Sequence, residues 1–222
     1  MTPLLSIAAG VCPETGPADF VAASADAGWR ACGIWFDPET WSDRVARDVR
    51  RRLDDTGLVA LDIEPVFVSP GSDGSSVVDH ADRVIDAAAR VGARNVLVVN
   101  RGADPDAFVH RFGELCDLAA PAGVHCVVEF MAFMTTTTLR EALDVVHAVA
   151  RPNAGVLVDN LHLARTGSIP ADVRAVDPSY LPSAQLCDAP EAPESDLIVE
   201  ALDGRLPIGQ GGLPVAEVVD AL

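Results

Sequence analysis

The feature that most constrains this chain is an alternation repeated along its length. Seven short runs, nearly unbroken in aliphatic residues, lie at 4–9, 31–36, 59–64, 95–100, 124–129, 155–159 and 183–187. A strand that is apolar on both faces must be covered on both faces, as the strands of a parallel sheet are. Between the runs, helical periodicity predicts helices over 17–27, 41–55, 77–91, 104–120 and 138–150. Gly28, Gly57, Gly92 and Gly123 stand where helices stop, and Thr138 with Glu141 forms a capping-box signature at the start of the last. So many strand-helix units favour closure into a TIM-type (β/α) barrel over an open doubly wound sheet, although the count alone is compatible with either. After the seventh run come an acidic, proline-rich segment and a helix-like stretch over 215–222, with no eighth strand. The expectation is an α/β fold, a barrel of seven strand-helix units in a single domain over 1–222.

Composition narrows the function classes. No apolar run approaches the ~20 residues needed to span a bilayer, and the first residues lack the basic start and long apolar centre of a signal peptide. A cytoplasmic protein without membrane contact is therefore expected. The five cysteines are scattered, with no CxxC pair and no zinc-ribbon spacing, and read as small buried residues or reduced thiols. A net charge of −17, from 33 acids against 16 bases, repels a phosphate backbone and argues against nucleic acid as a partner. The one basic cluster, at residues 44–52, reads as a solvated helix face.

The chemistry is concentrated in the residues that end the aliphatic runs. The third run ends in Glu64, the fourth in Asn100, the fifth in Glu129 and the sixth in Asp159; the seventh carries Gln185 and is followed by Asp188. Acids repeated at one structural level imply water, hydrogen bonds or a metal, because an unpaired buried carboxylate is costly. Oxygen ligands converging from neighbouring strands suit a hard divalent cation, and Glu129, Asp159 and Gln185 are the natural set. Taken singly, each has an ordinary reading: Glu129 as a solvated acid or an arginine partner, Asp159 as a cap for the following turn, Gln185 as a bond to loop backbone. His162, one turn past Asp159, fits a hydrogen-bond donor, a metal ligand, a proton carrier or a packed loop histidine. His80, His110 and His147 fall inside predicted helices and His125 opens a strand, so all four read as surface or packing residues. Arg205 lies where a loop reaches over the strand ends and clamps an anionic or hydroxylated substrate, or else is a surface arginine. The "GQGG" at 209–212 lacks the context of a phosphate loop and reads as a turn.

With "LDIEPVFV", "VVEFMAF", "TLREALDVV", "PNAGVLVDNLHLARTG", "AQLCDAP" and "GRLPIGQGGLP" in that order, nearly the whole chain resembles the sugar phosphate isomerase/epimerase family, the xylose isomerase-like TIM barrels. The resemblance implies a divalent metal, Mn, Mg, Co or Zn, bound after strands five, six and seven by Glu129, Asp159 and Gln185, with His162 in the place of the family's DxxH histidine. The family's fourth ligand, a glutamate on strand eight, has no counterpart here, and the turn that reads like GEGEL in many relatives is Gly209-Gln210-Gly211-Gly212-Leu213.

The implied activity is isomerisation or epimerisation of a small sugar or polyhydroxy carbonyl compound through an enediolate. Glu129 and His162 would be catalytic, and Glu64, Asn100, Asp188 and Arg205 would contact substrate. A glutamine in the third ligand position also resembles inosose and dehydroshikimate dehydratases, which leaves a lyase as the alternative. A degenerate, non-catalytic barrel is the alternative from outside enzymology. An open barrel exposes the edges of its first and seventh strands, which a homodimer would cover.

Overall fold

A computed structural model of the chain describes residues 3–71, 76–78, 80–193 and 196–222. Seven parallel strands form one curled sheet, in the order β1 (Ser6–Ile7), β2 (Ala31–Trp35), β3 (Val59–Pro70), β5 (Asn95–Asn100), β6 (His125–Glu129), β7 (Ala154–Asp159) and β8 (Ser183–Gln185). A short strand, β4 (Ser76–Val78), pairs antiparallel with β3. Helices alternate with the strands: α1 (Pro17–Asp26), α2 (Asp43–Thr56), α3 (Ala81–Val91), α4 (Pro105–Ala119), α5 (Leu139–Val149), α6 (Asn160–Arg165), α7 (Pro170–Arg174), α8 (Leu197–Asp203) and α9 (Val215–Ala221). No helix among the described residues is long and apolar enough to cross a membrane.

Two apolar layers explain the near-continuous hydrophobicity of the strands. Val96 and Val98, Cys126 and Val128, and Val156 and Val158 face the helices and join Phe108, Phe112 and Val146 in the main core. The residues between them, Leu97, Val127 and Leu157, form a separate small cluster on the opposite face, inside the curl of the sheet. The same alternation, carried two residues further, puts Glu129 and Asp159 on the interior face at the C-terminal ends of β6 and β7. Gln185 joins them, because β8 pairs Ser183 with Leu157 and Gln185 with Asp159. On β3, Ile63 belongs to the outer core, so Asp62 and Glu64 on either side of it also point inward.

The helix ends follow their chemistry. Thr138 accepts from the Glu141 amide and the Glu141 side chain returns the bond to the Thr138 amide, so the capping box at the start of α5 forms as read. Gly57, Gly92 and Gly123 take left-handed conformations where a helix stops.

Several boundaries differ from the sequence reading. β3 does not end at Glu64 but continues to Pro70, so Glu64 sits mid-strand. The register with β5 shifts between Ile63 and Val66, where Pro65 has no N–H to give a ladder. The helix expected over 77–91 is replaced at its start by β4 and begins only at Ala81; residue 79 lies outside the described residues. His80 accordingly precedes α3, in a left-handed conformation with φ 60°, and is not inside a helix. The first strand contracts to Ser6–Ile7 and the seventh run to Ser183–Gln185. Part of the acidic segment after it, residues 194 and 195, lies outside the described residues.

Candidate metal centre

Three side chains from β6, β7 and α6 converge on the interior face at the strand C-termini. One ligand atom from each of Glu129, Asp159 and His162 lies within 4.8 Å of the others. Nε2 of His162 is 3.9 Å from Oε1 of Glu129 and 4.0 Å from Oδ2 of Asp159. Asp159 is fully buried, and Glu129 and His162 are 6% and 2% exposed. Ligands bound at about 2.0–2.3 Å to one cation stand roughly 3–4.5 Å apart, so these separations fit a single divalent ion.

Local structure places each group. Asp159 ends β7 and caps α6, with Oδ1 accepting from the amides of Leu161 at 2.8 Å and His162 at 3.4 Å. That cap starts the helix in which His162, three residues on, turns back toward its own capping residue. The rings of His162 and Phe133 meet edge to face, 5.5 Å between centroids, which limits the positions the imidazole can take.

The cluster's charges are strongly perturbed. Burial pushes the Glu129 carboxyl well above the usual carboxylate range, and the negative charges of Asp159 and Glu64 push it further. Burial acts on Asp159 in the same direction but is overcome by Arg205, whose Nη1 donates to Oδ2 at 2.7 Å, with help from the Leu161 amide. Asp159 is therefore held below the usual range, in its ionised form. His162 is pushed down by burial, against the pull of Asp159, which favours a neutral imidazole. Two buried acids side by side are thus driven apart, one toward proton uptake and one toward permanent charge, a pattern that acid-base sites share.

Arg205 is not a loose surface arginine. Its Nε donates to the Ala201 carbonyl at the end of α8, and its Nη1 also lies 3.4 Å from Sγ of Cys187. The α8 helix is tied to α6 by Arg165, which makes a two-pronged, buried contact with Glu200 at 2.7 Å on each oxygen.

The remaining expected site residues fall in two groups. Gln185 and Glu64 are brought together, the Gln185 amide donating to Oε2 of Glu64 at 3.3 Å, and Glu64 lies within the electrostatic reach of Arg205 and Glu129. Asn100 and Asp188 are engaged elsewhere. The Asn100 side chain accepts from the Ala103 amide beside a cleft of about 250 Å3 between α4 and α5. Asp188 accepts from the amides of Ala189, Gly209 and Leu213 and organises the 209–212 turn. Gly211 is required there, since a Cβ would lie 2.3 Å from both Oδ1 of Asp188 and the Ala189 carbonyl.

One interior acid was missed from the sequence. Asp62 is buried beside Glu64, its Oδ1 has no partner, and burial together with the Glu64 charge pushes its carboxyl well up. Gly33 makes the room, because a Cβ there would lie 2.6 Å from Oδ1 of Asp62. The signal was present in "LDIE": two acids two residues apart in an aliphatic run share one face of a strand.

Comparison with known proteins agrees with this architecture. Over 111 residues, 49% of this chain and 39% of the relative, the sequence is 31% identical to the inosose isomerase of Bacillus velezensis. Over 203 residues, 87% of this chain and 32% of the relative, it is 26% identical to the 3-dehydroshikimate dehydratase of Pseudomonas aeruginosa. The matches therefore span only about a third of the length of these curated relatives. The crystal structure of the IOLI protein with a bound zinc atom superposes on 99% of this chain and 84% of that one, with a TM-score of 0.83 at 19% identity, a likeness of fold. The family model described as the xylose isomerase-like TIM barrel matches residues 21–222, and the chain belongs to that family.

Proposed function

We propose that the chain is a divalent-metal-dependent isomerase or epimerase of a small sugar or polyhydroxy carbonyl compound, working through an enediolate. The observation that carries this reading is the convergence of Glu129, Asp159 and His162 on one point inside the sheet. Asp159 and Glu129 hold the cation, with Gln185 alongside Asp159 on the next strand. The donor set, carboxylate oxygens with one imidazole, suits Mn, Mg, Co or Zn. When bound, such an ion polarises a substrate carbonyl and its neighbouring hydroxyl as a Lewis acid.

The protein's own groups account for proton movement. Glu129, buried on the interior face one strand from Asp159, takes the proton from the carbon next to the carbonyl and returns it to the product. Neutral His162, its Nε2 turned to the two carboxylates, completes the donor set from α6. Arg205, in the same interior, supplies the remaining polar contact, while Asn100 and Asp188 hold the surrounding loops.

Glu129→Gln removes both base and charge while keeping size. It is expected to lower turnover of a responsive sugar by at least about 100-fold without changing the circular dichroism spectrum. Unchanged turnover in that variant would sink the assignment.

A second reading is favoured by Gln185 in the third ligand position and by the dehydratase match along 87% of the chain. The same site then eliminates water from a cyclic polyol ketone, with Glu129 taking the proton and a hydroxyl leaving. Incubation with a panel of ketoses, inososes and 3-dehydroshikimate separates the two. An isomer of unchanged mass supports the first reading, and a product 18 Da lighter, by loss of one water, supports the second.

A further inference from the structure

The side chain of Gln185 reaches from β8 to β3, where Nε2 donates to Oε2 of Glu64, a residue 121 positions earlier in the chain. A carboxylate accepts from the nitrogen end of an amide and repels its oxygen end. This one contact therefore decides which way the Gln185 amide is turned. Gln185 pairs in register with Asp159 and shares the interior face with the Glu129, Asp159 and His162 cluster. Glu64 is itself buried, 7% exposed, and its other oxygen, Oε1, has no hydrogen-bond partner; burial pushes its carboxyl up, while the Gln185 amide and the nearby backbone amides of Gly10 and Ala9 after β1 act in the opposite direction and favour the carboxylate.

We propose that Glu64 is a positioning residue that takes the N–H of Gln185 and so presents the amide oxygen, Oε1, to the divalent cation held by Glu129, Asp159 and His162. The inference rests on the metal-dependent reading above. An amide free to rotate would offer its nitrogen, which carries no ligating lone pair, about as readily as its oxygen. The carboxylate across the sheet removes that ambiguity, as outer partners of metal ligands commonly do.

The test is Mn2+ binding by the full chain, measured by equilibrium dialysis, with circular dichroism as a check of folding. Glu64→Leu is expected to weaken Mn2+ binding by about 10–100-fold. Glu64→Gln, whose own amide oxygen accepts from Gln185, is expected to stay within about threefold of the parent. The decisive comparison is with Gln185→Leu: adding Glu64→Leu to it should cause no further loss, because Glu64 acts only through the amide. Additive losses, or full affinity in Glu64→Leu, overturn the inference while leaving the metal reading standing. Absence of binding by the parent chain of Mn2+, and of Mg2+, Co2+ and Zn2+ in the same dialysis, overturns both. Glu64→Met, closer to glutamate in shape, carries the same cycle if Glu64→Leu does not fold.

Discussion

At the scale of single residues, two acids one strand apart are set in contrast. Among the described residues no arginine pairs with Glu129, whereas Asp159 has Arg205, and the carboxyls are shifted in opposite directions. The contrast predicts the pH dependence of stability in metal-free protein. With its folded pKa raised, Glu129 keeps its proton in the folded state after the unfolded chain has lost it at about pH 4.3, so stability falls as pH rises from there toward the folded pKa. With its folded pKa lowered, Asp159 contributes stability that is present above about pH 3.9 and is lost as pH falls through the folded value. Urea titrations in chelator should show the decline on the neutral side flattened in Glu129→Gln and the decline on the acid side reduced in Asp159→Asn. An unaltered profile in both variants contradicts the assignment of these groups. Glu129 and Asp159 were legible because an acid at the end of an aliphatic run is conspicuous. The Arg205 contact was not, since no local pattern says which of sixteen arginines folds back onto Asp159.

At the scale of elements, a relay of contacts holds Arg205 at the site. Asp159 caps α6, Arg165 in α6 grips Glu200 in α8, and the Ala201 carbonyl of α8 orients the Arg205 guanidinium back onto Asp159. Arg165 and Glu200 are both almost wholly buried, so Arg165→Met leaves a buried carboxylate without its partner and should cost about 3–5 kcal/mol. Hydrogen exchange is the more specific measurement: the amides of 197–206 should exchange faster in that variant while those of β5 and β6 do not. Equal protection of α8 in both proteins would show that the relay does not hold the helix. Helix starts were well read where the cap is local, as at Thr138. They were misread where strand pairing intervened: β4 occupies residues that helical periodicity had claimed, because Val77 and Val78 satisfy either pattern and the extended β3 offered an edge to pair with.

At the scale of the whole molecule, the curled sheet collects acids from strands far apart in sequence into one interior, and a cation bound there would offset their mutual repulsion. Mn2+ at about 100 times its dissociation constant should therefore stabilise the chain by about 2.7 kcal/mol, on the order of 5–10 °C in Tm, and chelator should reverse the shift. Loss of most of the shift in Glu129→Gln ties it to this site; a shift of equal size in the variant places the ion elsewhere. The alternation of strand and helix, the parallel sheet and the acids at the strand ends were all determined by the sequence itself, because each depends on neighbours within a few residues: burial on both faces, caps and turns. Tertiary structure alone decided that Glu64 lies mid-strand and meets Gln185, that Asp62 is buried beside it, that Arg205 pairs with Asp159, and that Asp188 is consumed by a turn. Those outcomes depend on strand register and on how far the sheet curls, which bring together groups up to 121 residues apart, and no local pattern of side chains encodes a distance of that kind.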